Sequence, residues 1–174
     1  MKLLGGINVS EIESFRRAIL EAVHTNRRIF ICGNGGSAST SQHFAVDLGV
    51  GTLKYSGKAI KVISLVENSA VLTATANDLQ YEKIFSEQVS LLGESGDLLI
   101  LISASGNSLN LLNAASASRD IGMKNLTITG FDGGKLRDFG DFRIHIDTPL
   151  GAYGMTEDIH MAICHMITEC IRVL

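Results

Sequence analysis

The chain has 174 residues, of which 45% are hydrophobic and 19% charged, with a formal net charge of −3 at pH 7. This composition is too apolar for a disordered chain, and no Lys/Arg-rich block points to nucleic acid or an anionic membrane as a partner. Three cysteines without metal or disulfide spacing, and no apolar run near the ~20 residues of a membrane span, favour a cytoplasmic protein.

Helix and strand signals alternate along the chain. The pattern Ser10-Glu11-Ile12-Glu13 matches a capping box and predicts a helix over about 10–25. Apolar runs predict strands at 28–32, 59–66, 97–102, 125–129 and 143–146, and further helices at 37–48, 69–77, 81–92, 107–120 and from about 156 to the C-terminus. This alternation indicates βαβ units, and therefore a parallel sheet with helices on both faces.

Two loops rich in glycine and serine follow predicted strands, where such folds bind their ligands. They are Gly33-Asn34-Gly35-Gly36-Ser37 and Ser103-Ala104-Ser105-Gly106-Asn107-Ser108, and each leads into a helix. Glycine allows close backbone approach, helix N-terminal N–H groups attract an anion, and serine hydroxyls add uncharged donors. Helix capping alone would explain one such loop, but two at strand ends favour a phosphate or polyol site.

The first loop also fits the dinucleotide-binding pattern, as Gly33-x-Gly35-x-x-Ala38. That site needs an acidic residue about 20 positions further on, at the end of the second strand. Position 53 is Leu, and Asp47 falls within the intervening predicted helix. A nicotinamide site is therefore a minor alternative.

Ionisable residues gather on two predicted helices. His43 and Asp47 lie one turn apart on one face, which fits either a solvated pair or a reactive site. Glu157, His160 and His165 crowd the last helix, where the helix dipole explains an early acid but not two histidines flanked by apolar residues. Histidine with carboxylate suits a divalent metal or proton transfer, and spacing does not choose between them.

Five motifs, in this order, resemble the SIS (sugar isomerase) domain family and, within it, the phosphoheptose isomerases. They are Gly33-Asn34-Gly35-Gly36-Ser37, Gln42-His43-Phe44-Ala45, Asn77-Asp78-x-x-Tyr81, Ser103-x-Ser105-Gly106-Asn107-Ser108 and Thr129-Gly130-x-x-Gly133-Gly134. The resemblance implies a flavodoxin-like three-layer α/β/α sandwich with a five-stranded parallel sheet. It further implies a single SIS domain over residues 1–174, with the helix at about 10–25 packed on the core or on a partner subunit.

The resemblance also implies an activity and an assembly. The family's enzymes are aldose–ketose isomerases that interconvert sedoheptulose 7-phosphate and D-glycero-D-manno-heptose 7-phosphate for surface polysaccharides such as lipopolysaccharide. A cytoplasmic homotetramer with sites near its subunit interfaces is expected, binding a phosphorylated sugar and neither nucleic acid nor membrane.

Site roles carry over to the matching positions. The residues expected to bind substrate are Asn34, Gly35, Ser37, Asp78, Ser103, Ser105, Asn107, Ser108 and Glu157. The residues expected to hold one zinc ion are His43, Asp47, Glu157 and His165. Of these, Asp47 is the expected general base and His165 the second catalytic residue.

Several positions depart from the family pattern and motivate an alternative function. They are Asp47 for Glu, Gly51 for a basic residue, Ala104 for Thr, Gly154-Met155 for Asp-Arg and Glu157 for Gln. The alternative is a non-catalytic SIS module that binds a phosphosugar or a protein, like the branch that associates with the bacterial replication initiator. In addition, Glu157 and His165 are eight residues apart, ~12 Å along an ideal helix. Either Glu157 precedes the regular helix or two subunits supply these residues.

Overall fold

A computed structural model describes residues 7–56 and 59–172 of the chain. The strands are β1 Ile29–Gly33, β2 Val62–Ser64, β3 Leu98–Ser103, β4 Lys124–Thr129 and β5 Phe142–His145. The α-helices are α1 Val9–His24, α2 Gly36–Val46, α3 Thr52–Ser56, α4 Ser69–Asp78, α5 Ser86–Leu92, α6 Leu109–Asp120 and α7 Tyr153–Arg172. The ends of the predicted domain over 1–174, including the last two residues of its final helix, lie outside the described ranges.

The five strands form one sheet in the order β2-β1-β3-β4-β5, and every neighbouring pair is parallel. This confirms the predicted five-stranded parallel sheet. From β1 the chain moves outward to β2 at one edge, whereas β3, β4 and β5 extend toward the other edge. The neighbours β1 and β3 therefore flank the point where the strand order reverses, and ligands bind beyond such a point in open α/β sheets.

Helices cover both faces of the sheet, as predicted for three layers. On one face, α1, α2 and α7 pack over strand residues such as Ile31 and Ile100, while α4, α5 and α6 cover Phe30 and Leu101 on the other. All six residues of β3 are buried, because this central strand is covered on both sides. The described residues contain no helix long and apolar enough to cross a membrane.

The first helix begins differently from the capping-box prediction. Asn8 is the N-cap, and its side-chain oxygen accepts hydrogen bonds from the Ser10 backbone N–H at 3.0 Å and the Ser10 hydroxyl at 2.6 Å. The predicted cap at Ser10 is wrong, because Asn8 already satisfies the first turn. The buried face of α1, with Phe15 and Ile19 at its centre, packs onto the sheet and α7.

Several predicted elements differ in extent, and the strand predicted at 59–66 is limited to the three residues Val62–Ser64 that pair with β1. Helix α2 passes at Val46 into a π-helical turn, Asp47–Gly51, which leads directly into α3. The predicted helix at 81–92 is a 3₁₀ turn, Tyr81–Lys83, followed by α5. Helix α7 begins at Tyr153, three residues before the predicted start, so Glu157 lies within the regular helix.

Candidate active site

A small cavity of about 120 Å³ lies beyond the carboxyl ends of β1 and β3. The residues that line it come from both glycine–serine loops and from α7: Asn34, Ser37, Ile102, Ser103, Ala104, Ser105, Ser108, Tyr153 and Glu157. We call it the anion cavity. It brings together six of the nine residues that the sequence assigned to substrate.

No basic side chain lines the anion cavity, since none of its described lining residues is Lys, Arg or His. Two helices start at its wall, α2 with N-cap Gly35 and α6 with N-cap Ser108. Neither cap residue makes a side-chain hydrogen bond to its helix. No cap side chain therefore occupies the N–H groups of the first helical turn, where a helix favours an anion.

The serines of the second loop are held with their hydroxyl hydrogens available. The Gly106 N–H donates to the Ser103 hydroxyl oxygen at 2.9 Å, and the Asn107 N–H donates to that of Ser105 at 3.3 Å. A hydroxyl that accepts from the backbone keeps its own hydrogen for another acceptor. Both serines can therefore donate to a ligand in the anion cavity.

Asn107, by contrast, lies outside the lining and braces the loop. Its side-chain N–H donates to the Ser105 carbonyl at 3.0 Å, and its side-chain oxygen accepts from the Lys135 N–H at 3.2 Å. The loop also passes so close to the next one that a Cβ at Gly106, where φ is +63°, would collide with the Gly133 carbonyl. The contacts of Asn107 are thus structural.

Two other expected substrate residues do not line the anion cavity. Gly35, with φ of +54°, lines a larger neighbouring cavity of about 320 Å³ together with Asn34 and Tyr81. Asp78 ends α4 at an exposed position, where its carboxylate accepts from the Asn77 amide at 2.8 Å. Within the described part of this one chain, Asp78 reaches neither cavity lining.

Glu157 is the acidic residue of the anion cavity. Its carboxylate lies against the start of α2, where a Cβ at Gly36 would collide with it. The partial positive charge of a helix N-terminus stabilises an acid in this place. Because α7 already includes Glu157, the possibility that this residue precedes the helix is wrong.

A second group of ionisable side chains, which we call the His–Asp–His cluster, consists of His43, Asp47 and His165. The Nε2 atoms of the two histidines are 3.0 Å apart. The Asp47 Oδ2 atom lies 3.4 Å from Nε2 of His43 and 3.8 Å from Nε2 of His165. The fourth expected ligand, Glu157, is not part of the cluster within the described chain.

The cluster fits a divalent ion such as zinc. Tetrahedral zinc holds imidazole nitrogen and carboxylate oxygen at distances that place two ligand atoms ~3.3 Å from each other. The three separations in the cluster bracket this value. Both histidine side chains are about half exposed, at 49% and 50%, so the cluster is open to a further ligand.

Local helix geometry places these three residues. Helices α2 and α7 pack side by side on one face of the sheet and carry the two histidines. Asp47 begins the π-helical turn, and π-helical turns within helices often occur at functional sites. The Thr52 hydroxyl donates to the Asp47 carbonyl at 3.2 Å across this turn.

Known proteins resemble this chain over most of its length. A family model described as SIS domain matches residues 7–130. The phosphoheptose isomerase of Helicobacter pylori (strain P12) is 42% identical over 157 residues, which cover 88% of this chain and 79% of that protein. That of Aliarcobacter butzleri (strain RM4018) is 37% identical, over 92% of this chain and 83% of that protein.

The chain belongs to the SIS domain family, in its phosphoheptose isomerase branch. Among solved structures, the phosphoheptose isomerase of Neisseria gonorrhoeae matches with a TM-score of 0.85 and 30% identity, over 95% of this chain and 87% of that one. The enzyme of Francisella tularensis matches with a TM-score of 0.84 and 28% identity, over 95% and 86%. The SIS fold inferred from the five motifs is confirmed.

In this SIS domain the basic group beside Asp47 comes from the end of α7 rather than from the residues that follow Asp47. The Arg172 Nη2 atom lies 3.7 Å from Oδ1 of Asp47, and a Cβ at Gly51 would collide with it. Arg172 also pairs with Glu169 at 2.5 Å. At Gly51, where the family pattern has a basic residue, the guanidinium of Arg172 on α7 therefore occupies the neighbouring space. The spacing of residues in the sequence could not reveal this contact.

His160 belongs to neither group. It is fully buried, and burial lowers its pKa to about 4. The nearby His145 on β5 also lowers that pKa, and burial shifts the pKa of His145 itself downward. His160 is therefore neutral on the buried face of α7, between Glu157 in the anion cavity and His165 in the cluster along the helix.

Sequence reasoning did not assign a role to three residues that either line the anion cavity or hold a residue that does. Tyr153 lines it directly. Asn110 and Tyr81 both hydrogen-bond to the side chain of Asn34. The only signal in the sequence for any of them was Tyr81, which closes the motif Asn77-Asp78-x-x-Tyr81.

Proposed function

We propose that this chain is an aldose–ketose isomerase that interconverts sedoheptulose 7-phosphate and D-glycero-D-manno-heptose 7-phosphate. The observation that carries the proposal is the His–Asp–His cluster, found together with an anion cavity in a chain 42% identical to a phosphoheptose isomerase. The non-catalytic alternative is not favoured, because relatives that are 42% and 37% identical are named as isomerases.

The anion cavity binds the phosphate of the substrate in this proposal. Ser103, Ser105 and Ser108 donate hydrogen bonds, and the starts of α2 and α6 contribute backbone N–H groups. These donors are uncharged, so they suit a sugar phosphate without creating a general polyanion site on a chain of net charge −3.

The His–Asp–His cluster performs the proton transfers. Asp47 removes the proton from the carbon next to the substrate carbonyl and returns it to the neighbouring carbon, which exchanges ketose and aldose. His165 moves the second proton between the two oxygen atoms of the substrate, through the ring nitrogen that a metal ion at the cluster would leave free. When bound by His43, Asp47 and His165, a zinc ion supplies Lewis-acid polarisation of an oxygen atom.

A homotetramer with shared sites explains the separation of the two regions along α7. Three exposed apolar side chains follow His43 along the same stretch of chain: Val46, Val50 and Leu53. Apolar side chains grouped beside a reactive cluster are typical of a protein interface. We therefore assign this surface to contact with a second copy, which would supply the Glu157 ligand and the anion cavity.

Location and pathway are part of the same proposal. The three cysteines are free thiols, two buried and one exposed, as expected for a reducing cytoplasm. The product class places the enzyme in heptose supply for a surface polysaccharide such as lipopolysaccharide.

The proposal is tested by incubating the zinc-loaded protein with sedoheptulose 7-phosphate and following aldose formation. We expect turnover by the wild type and a loss of at least ~100-fold in both Asp47→Asn and His165→Ala. Full activity in both variants would contradict the assigned roles. Binding of several sugar phosphates without turnover by the wild type would instead support the non-catalytic alternative.

A further inference from the structure

The side chain of Asn34 is held by two residues that the proposed mechanism does not use. Asn34 and Asn110 exchange a reciprocal pair of amide hydrogen bonds, each of 2.9 Å. The Tyr81 hydroxyl donates a third, of 3.0 Å, to the Asn34 side-chain oxygen. Asn34 lines both the anion cavity and the larger cavity beside it, so the amide lies where the two meet.

These bonds leave the Asn34 side chain able to donate one further hydrogen bond and to accept none. Its oxygen has two lone pairs, and Asn110 and Tyr81 occupy both. One of its two amide hydrogens is donated to Asn110, which leaves the second for a ligand. A carbonyl oxygen that accepts two hydrogen bonds also polarises the amide, which strengthens its remaining N–H as a donor.

Two separate elements fix the plane of this amide. Asn110 lies in the first turn of α6 and is only 2% exposed, so its side chain has little freedom to turn. Tyr81 approaches from the 3₁₀ turn after α4. The Asn34 donor is therefore oriented before any ligand arrives.

We propose that Asn110 and Tyr81 are positioning residues that hold Asn34 as a one-way hydrogen-bond donor to a sugar oxygen of the substrate. The acceptor is a hydroxyl or carbonyl oxygen rather than the phosphate, because the serines already serve the anion cavity and Asn34 lies at its boundary. This inference rests on the proposed isomerase function.

The main test compares turnover with phosphate binding. Tyr81→Phe removes only the hydroxyl of a side chain that is 56% exposed, so the fold is kept. We expect kcat/KM for sedoheptulose 7-phosphate to fall roughly 3- to 10-fold, the effect of one neutral hydrogen bond, and Asn110→Ala to cost at least as much. The dissociation constant for inorganic phosphate should stay within twofold of wild type in both variants.

Two further variants show whether Asn34 mediates the effect. In an Asn34→Ala background, Tyr81→Phe should cause no additional loss, because the group it positions is gone. Ser116→Ala is the control, since Ser116 is exposed on α6 and lies outside both cavity linings. Its kcat/KM should equal that of the wild type.

Wild-type kcat/KM in Tyr81→Phe and Asn110→Ala would overturn the inference. The inference would also be overturned if Tyr81→Phe lowered kcat/KM equally with and without the Asn34 side chain. A loss of phosphate affinity as large as the loss in kcat/KM would overturn it too. If the wild type fails to turn over sedoheptulose 7-phosphate, the proposed function fails, and the same variants are compared by affinity. A weaker affinity for the sugar phosphate alone would still support the positioning role, and unchanged affinity would overturn it.

Discussion

The anion cavity and the His–Asp–His cluster are built in different ways. Backbone creates the cavity, because the register that pairs Gly33 with Ile102 brings two loops and two helix starts together. Side chains create the cluster, on the outer surfaces of α2 and α7, where its histidines are about half exposed. The sheet thus determines the position of the cavity, whereas the cluster depends on how two helices pack.

Helix α7 physically joins the two regions. It carries Glu157 into the anion cavity and His165 into the cluster, with the buried His160 between them. If the regions are separate in function, a change in one should leave the other intact, and only a change in the anchoring of α7 should affect both.

Asp47→Asn is expected to cause the largest difference between the effect on turnover and the effect on phosphate binding. We predict a fall in kcat of ~1,000-fold, because an amide cannot act as the base, with unchanged affinity for inorganic phosphate. Steady-state kinetics and calorimetric phosphate titration measure the two quantities. Asp158→Asn, at an exposed position on α7 outside both regions, serves as the control and should keep wild-type turnover. A joint loss of turnover and phosphate affinity would show that the regions are not separate.

Acid should weaken the attachment of α7 to the sheet. The pKa of His160 is about 4 in the folded protein against an ordinary 6.5, so the unfolded chain takes up the proton first as the pH falls. The stability that depends on neutral His160 is therefore complete above pH 6.5 and lost progressively toward pH 4. We expect the free energy of unfolding to drop by about 2 kcal/mol between pH 7 and pH 5.

Urea unfolding at the two pH values measures this effect. His160→Leu should flatten the dependence, whereas His24→Gln, at an exposed position on α1, should preserve it. An equal slope in His160→Leu and wild type would show that another group is responsible.

A smaller effect, on phosphate affinity, is expected when a serine of the anion cavity is replaced. Ser105→Ala removes one hydroxyl donor from the anion cavity, and we predict ~10-fold weaker binding of inorganic phosphate. The zinc content of the purified protein, measured by atomic spectroscopy, should be unchanged. Ser116→Ala, at an exposed position on α6, is the matched control. Lower zinc content in Ser105→Ala would show that a change in the anion cavity affects the His–Asp–His cluster, and would contradict the separation of the two regions.

The smallest effect is expected for Glu157→Gln. Removing a negative charge from the anion cavity should tighten phosphate binding, by roughly threefold at low ionic strength. The gain should shrink in high salt. Weaker phosphate binding in this variant would mean that the carboxylate supports the cavity rather than repelling its ligand.

The sequence was most informative where local pattern and topology coincide. The apolar run at 97–102 predicts a covered central strand, and the serines that follow β3 lie in the anion cavity as expected. The eight-residue spacing of Glu157 and His165 correctly raised the question of how one helix could bring them together. Each of these inferences needs only neighbouring residues or the order of elements.

The remaining features depend on contacts between distant segments. The guanidinium of Arg172 beside Asp47, and the amide of Asn110 against Asn34, arise from the packing of separate helices. The π-helical turn at Asp47–Gly51 also lacked a signal, because Gly49 and Gly51 are typical of a helix end and did not indicate that the helical backbone continues.

The most direct test of the two-region account removes the metal. Aldose formation from sedoheptulose 7-phosphate and calorimetric binding of inorganic phosphate are followed before chelation, after chelation and after zinc is restored. The account predicts that chelation lowers turnover at least ~100-fold, that zinc restores it, and that phosphate affinity stays constant throughout. Turnover that survives complete removal of the metal, or phosphate binding that is lost with it, would contradict the account.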